Sequence, residues 1–187
     1  PECQTLFFNK GAVISVKPNT EIGVHLGGVI NGSNGIIEHA GYLVVEGDFT
    51  NNHIIKNIGT STIKVQRDFT NNQMFIPGNS WVNLYGGTET ISGADTIFFH
   101  DLEITGTDVK YLTSNVIVMN KLQLNNLEMS TGEHSLTVSN SDVGAITRTD
   151  GFVSSIGDGA LYRTTNVGQN YLFPVGSSIQ PPRYRPI

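Results

Sequence analysis

Gly47-Asp-Phe-Thr-Asn-Asn52 recurs twenty residues later as Arg67-Asp-Phe-Thr-Asn-Asn72, and that repeat decides the fold. Just ahead of each copy stands an apolar pair separated by one residue, Leu43/Val45 and then Ile63/Val65. Followed upstream, the pair becomes Val24/Leu26. Followed downstream, it becomes Val82/Leu84, Leu102/Ile104 and Leu122/Leu124. Successive pairs lie 19 or 20 residues apart. A small or polar residue holds the same place behind each pair: Gly28, Gly47, Arg67, Gly86, Gly106 and Asn126. Alternation with period 2 sets both members of a pair on one face of a strand. Further apolar stretches fall between the pairs, at 36–37, 53–55, 74–76, 97–99 and 116–118.

A unit of this length is too short for a strand–helix–strand crossover of roughly 30 residues, and it has no helical period. It fits one turn of a solenoid built from two or three short strands, in which equivalent residues stack about 4.8 Å apart. The pattern therefore predicts an all-β, right-handed parallel β-helix with ~20-residue coils. An antiparallel sandwich also uses short strands, but it predicts hairpin turns and not a pair that recurs in register. Past residue 126 the spacing changes, because Leu136 follows Leu122 by only 14 residues. Residues 1–20 are expected to form an N-terminal cap or leading strand, 21–126 the regular coils, and 127–176 less regular closing coils with Leu172 or Phe173 packed on the last one. Residues 177–187, with Pro181, Pro182 and Pro186, are expected to be a linker or the start of a further domain, so that the chain reads as the N-terminal piece of a longer protein.

Composition agrees with this class. Charged residues make up only 14% of the chain, where soluble domains average about 25%, and Gly, Asn, Thr and Ser take their place. Those residues favour turns and strands over helices. A net charge of −5 with scattered Lys and Arg argues against nucleic acid as a partner. No apolar run approaches the ~20 residues of a membrane helix, so membrane insertion is not expected. The beginning, 1–8, lacks the layout of a signal peptide and reads as a processed N-terminus. Cys3 is the only cysteine, which rules out a disulfide within the chain. The Asn/Thr/Gly-rich, Lys-poor surface points to export.

The stretches 122–126, 135–140 (SLTVSN), 144–149 (GAITRT) and 171–176 (YLFPVG), with the closing Tyr184-Arg-Pro, resemble the N-terminal region of large surface proteins exported by the bacterial type IX secretion system, among them gliding and adhesion proteins. The resemblance covers most of residues 20–187. It implies a multi-domain cell-surface or released protein that engages the type IX machinery, and it brings no catalytic residues with it. In that family the sorting signal is a separate C-terminal domain, which nothing in this sequence matches.

Parallel β-helices also include polysaccharide lyases and hydrolases, so paired carboxylates matter; glycoside hydrolysis needs two of them facing one sugar ~5–10 Å apart. The repeat stacks Asp48 on Asp68, with Arg67 beside them, and Asp95 with Asp101 is a weaker pair. The plainer account is that each Asp opens a turn and bonds a nearby backbone N–H. Asn51 with Asn71, and Asn52 with Asn72, are expected to form side-chain amide ladders. Tyr42, Trp81 and Tyr85 lie toward one side of neighbouring coils and could stack on sugar rings, although ordinary packing also accounts for them. His25, His39, His53, His100 and His134 fall at different places in the repeat, so no metal site and no cofactor are expected. Calcium-binding nonapeptides, a phosphate loop and a G-x-S-x-G elbow are missing. A Thr-x-Thr ice-binding column is broken, since Thr60-Ser-Thr62 is flanked by Ala40-Gly-Tyr42 and Asn79-Ser-Trp81. The sequence thus favours a non-catalytic structural or adhesive module, secreted or displayed on a bacterial surface and engaging glycans or a host surface. A polysaccharide-active or carbohydrate-binding β-helix is the alternative.

Overall fold

The computed structural model describes residues 28–32 and 36–178 in full, together with the backbone strands Thr5–Phe8, Val13–Val16, Glu21–Val24 and Arg183–Tyr184. The chain is a parallel β-solenoid. Its first sheet stacks eight strands in chain order from Thr5–Phe8 through Phe49–Asn51 and Phe69–Asn71 to Phe152–Ser154. A second sheet holds Val13–Val16, Ile36–His39, Ile54–Asn57 and Met74–Ile76, and a third runs from Glu21–Val24 to Ala160–Arg163. Every pairing within these three sheets is parallel, and the sole antiparallel contact among the described residues joins Gly176–Ser177 to Arg183–Tyr184. Strands Thr5–Phe8 and Val13–Val16 pair with Gly28–Asn31 and Ile36–His39 and so belong to the stack. Cys3, His25, Leu26, Pro181, Pro182 and Pro186 lie outside the described residues.

The ten residues of the repeating pairs from Leu43 to Leu124 are all buried. In the third sheet Leu43, Ile63, Val82, Leu102 and Leu122 form one column, and Val45, Val65, Leu84 and Ile104 a second. The first sheet contributes a column of aromatic rings. Phe49 stacks on Phe69 with centroids 4.9 Å apart, and Phe69 meets the edges of Phe75 and Phe99 at 5.5 and 5.2 Å. Side-chain amides form polar columns beside them. Asn31 donates to Asn51 and Asn51 to Asn71, each at 2.7 Å, inside the solenoid, and Asn72 donates to Asn52 at 2.8 Å nearer the surface. A buried amide that repeats at the coil spacing satisfies its own hydrogen bonds up and down the stack, which removes most of its burial cost.

The structure revises the register at three places. First, Val24 pairs with Val45 and Ile22 with Leu43, so the upstream pair is Ile22/Val24 and not Val24/Leu26. Ile22, Val24 and Leu26 all obey period 2, and a slip of two residues keeps every side chain on its face. In the first sheet the offset is 20, which places Gly28 against Asp48, whose carbonyl oxygen would lie 2.5 Å from a Cβ at that position. Second, the stretches at 97–99 and 116–118 do not continue the second sheet. They run on into the third as the single strands Ile97–Ile104 and Val116–Gln123, with a bulge near His100, so the coil loses one corner there. Third, Leu136 pairs with Val116, twenty residues earlier, while Ile146 pairs with Leu122. The apparent break in spacing after residue 126 comes from comparing two different columns.

At the far end the chain lies along the last coils. The Val153 N–H donates to Pro174 O at 2.7 Å, and Pro174 is buried, whereas Leu172 and Phe173 are half-buried. Arg163 anchors this segment by donating to Leu172 O at 2.9 Å and to Asp142 O at 2.8 Å, with its guanidinium 4.6 Å from the Tyr171 ring centroid.

Two measurements check this packing. Phe69→Ala removes the ring shared by three aromatic neighbours, and urea denaturation should show a loss of about 3–5 kcal/mol; a variant as stable as the parent contradicts the aromatic column. His39 is fully buried, donates from Nε2 to Thr62 O at 2.9 Å, and has no partner at Nδ1 among the described residues. Burial lowers its pKa below 6.5, against the smaller opposing effect of that hydrogen bond. The unfolded chain therefore takes up a proton that the folded one refuses. The stability from neutral His39 is complete above pH 6.5 and is lost as pH falls toward the folded-state pKa. Thermal melts of His39→Gln should lack this part of the pH dependence.

Candidate functional site

The strands are constrained by stacking, but the corners between them vary. From the third sheet to the first, Phe49 follows Val45 and Phe69 follows Val65 by four residues, whereas Ile91 follows Leu84 by seven. The longer corner carries Gly86-Gly87-Thr88 outward over the two shorter ones. Between them opens a cleft of about 580 Å³, lined by Asp48 from one coil, Gln66, Arg67 and Asp68 from the next, and Gly86 and Thr88 from the third. Gly86 is required here: a Cβ would sit 1.9 Å from Gln66 O, far inside van der Waals contact.

Stacking brings Asp48 and Asp68 to this cleft, both exposed. Asp48 Oδ1 accepts the Asp68 N–H at 3.2 Å, and Asp68 Oδ1 accepts the Thr90 N–H at 2.8 Å. Each carboxylate thus ties its corner to the next coil with one oxygen. The other oxygen has no hydrogen bond among the described residues. Arg67, Gln66 and Thr88 are polar neighbours with exposed or half-exposed side chains and no ion pair among the described residues.

Tyr85 precedes the lining residue Gly86 in the chain and, one place past the Leu84–Val65 pair, stands next to Gln66 of the neighbouring coil. Its N–H donates to Val65 O at 2.9 Å, while its hydroxyl reaches Val45 O at 3.4 Å, two coils back. The ring therefore lies along the stacking axis across the Gln66 coil. Burial raises the phenol pKa, with Glu46 and Glu89 adding to the effect. Tyr42 and Trp81 occupy the opposite end of these strands, two coils apart with Thr62 between them. Tyr42 is exposed, whereas Trp81 Nε1 donates to Glu103 Oε2 at 3.1 Å in a network that includes Asn83 and Asn125. The three aromatics do not form one strip. Asp95 and Asp101 are also separate: Asp95 lines a smaller cavity with Asn115 and His134, and Asp101 is buried against Asn120 and His100 at 2.7 and 2.8 Å. Asn51, Asn71, Asn52 and Asn72 belong to the ladders and not to the cleft.

Sequence reasoning missed the ion pair beneath the cleft. Glu89 and Lys110 occupy facing places in the first sheet, and both side chains are fully buried. Lys110 Nζ directs its N–H groups at Gly86 O and Thr107 O, each at 2.9 Å, and at Gly87 O. It meets Glu89 Oε2 at 2.6 Å as an ion contact, while the Gly86 N–H donates to Glu89 Oε1 at 3.1 Å. Burial pushes the Glu89 carboxyl pKa up, and Lys110 and the Gly86 N–H pull against that. The pair therefore holds the Gly86-Gly87 wall from behind. The signal was present: Glu89 and Lys110 stand at inward places of alternating strands, two residues before buried Ile91 and Leu112. Only the register shows that they meet.

Comparison with protein-family models, with curated proteins and with solved structures found no match.

Lys110→Met should strand a buried carboxylate and cost about 3–5 kcal/mol in urea denaturation. The double variant Glu89→Gln/Lys110→Met should recover much of that loss, because no lone charge remains. A double variant less stable than the single one contradicts this account.

Proposed function

We propose that this chain is a non-catalytic structural and adhesive module of a secreted or surface-displayed bacterial protein. The observation that carries the reading is the use made of Asp48 and Asp68. These are the carboxylates that the repeat stacks on adjacent coils in a cleft, and each gives an oxygen to a backbone N–H of the following coil. That is how a turn residue works, and it leaves the pair as architecture before chemistry. The low charged fraction and the resemblance to type IX-exported surface proteins support export and display. Its partners in this reading are surface glycans or a host surface, with the type IX machinery for delivery. The acidic balance disfavours nucleic acid, and no helix among the described residues is long and apolar enough to cross a membrane.

A polysaccharide-active or carbohydrate-binding solenoid is the second reading, and the polar cleft spanning three coils is the observation in its favour. Incubating the protein with a panel of polysaccharides separates the two. No reducing ends and no unsaturated products are expected. Product release abolished by Asp48→Asn or Asp68→Asn overturns the non-catalytic reading.

A further inference from the structure

We propose that the corner cleft binds a neutral saccharide, with a short pyranose chain lying along the stacking axis and one ring over Tyr85. The inference deepens the adhesive reading of the same site and rests on it. The shape comes first. The cleft crosses three coils, so its floor extends about 10 Å along the axis at the spacing of stacked strands, room for a pair of linked sugar rings. Its direction follows the tyrosine, whose ring runs back from Leu84's coil toward Val45 and is held at both ends, by the backbone and by the hydroxyl. The ring is half-buried, and the face it leaves to solvent is flat and apolar, the complement of the C–H face of a pyranose.

The polar groups come next. Asp48 and Asp68 each keep one oxygen uncommitted, and Arg67, Gln66 and Thr88 bring donors to the same walls. Acceptors beside donors suit vicinal hydroxyl groups, each of which both gives and takes a hydrogen bond. The charge selects among sugars. Two carboxylates line the cleft against one guanidinium. A uronate or a sulfated sugar meets repulsion there, whereas an uncharged one does not. The wall is also rigid before any ligand arrives, because Lys110 and Glu89 hold Gly86 and Gly87 from the interior. A preorganised wall removes part of the entropic cost of binding.

The test is a titration of the ¹⁵N-labelled full chain, followed by NMR, with cellohexaose and mannohexaose as neutral probes and trigalacturonate as the charged one. Saturable shifts are expected at the Gln66, Gly86, Gly87 and Thr88 amides with at least one neutral hexamer, and none with trigalacturonate. Tyr85→Ala should weaken that binding about three- to tenfold, and Tyr85→Phe, which keeps the ring, should bind like the parent. Arg67→Gln, an exposed change that leaves the core intact, should also weaken it. No shift at these amides with either neutral hexamer at millimolar concentration overturns the proposal, as does binding unchanged by both Tyr85→Ala and Arg67→Gln, or preference for trigalacturonate. Cleavage of a hexamer during the titration instead overturns the non-catalytic reading, so the two failures are told apart.

Discussion

A coil of about twenty residues has too little surface to bury its own apolar side chains, and in this protein each coil buries them against the coils above and below. The rest of the structure follows from that dependence. A residue that points inward must tolerate a copy of itself, or a complement, one strand spacing away. Leu, Ile and Val meet the requirement as columns. Phe49 and Phe69 meet it by stacking their rings. Asn31, Asn51 and Asn71 meet it by passing hydrogen bonds along the column. Where an inward charge occurs, as at Glu89, the opposite charge of Lys110 sits on the next coil.

The corners escape this constraint, and variation collects there. Between the third and first sheets the corner grows from four residues to seven within one coil, and the added residues make the wall of a concave polar site that joins several of the candidate residues. The strands supply a rigid frame, and the corner supplies shape. Loops of variable length on a fixed scaffold are where binding surfaces arise in folds of many kinds. The buried ion pair links the two levels, because it belongs to the stacked strands yet bonds to the corner's carbonyl groups.

The second sheet shows how the same constraint alters the cross-section. It ends at Met74–Ile76, and from Ile97 onward one long strand replaces two short ones separated by a corner. Phe75 and Phe99 face each other across this junction at 5.9 Å, so the interior stays filled while the outline changes. The bulge near His100 absorbs the mismatch between the coils on either side.

The sequence by itself determined that the chain is a parallel stack, because a pair recurring every 19–20 residues with period 2 inside it has few other folds. It also named the interior columns from Leu43 to Leu124 and the stacking of Asp48 on Asp68. It could not place Ile22 against Leu43, or Leu136 against Val116. A slip by any even number of residues leaves every side chain on its own face, so the apolar pattern is silent about it. It could not pair Glu89 with Lys110, since that contact depends on how many residues each corner takes up, nor turn the Tyr85 side chain back toward Val45, which is a choice of rotamer. Corner length leaves no periodic mark in the amino-acid pattern. Only the hydrogen-bonded register of the folded coils decided it.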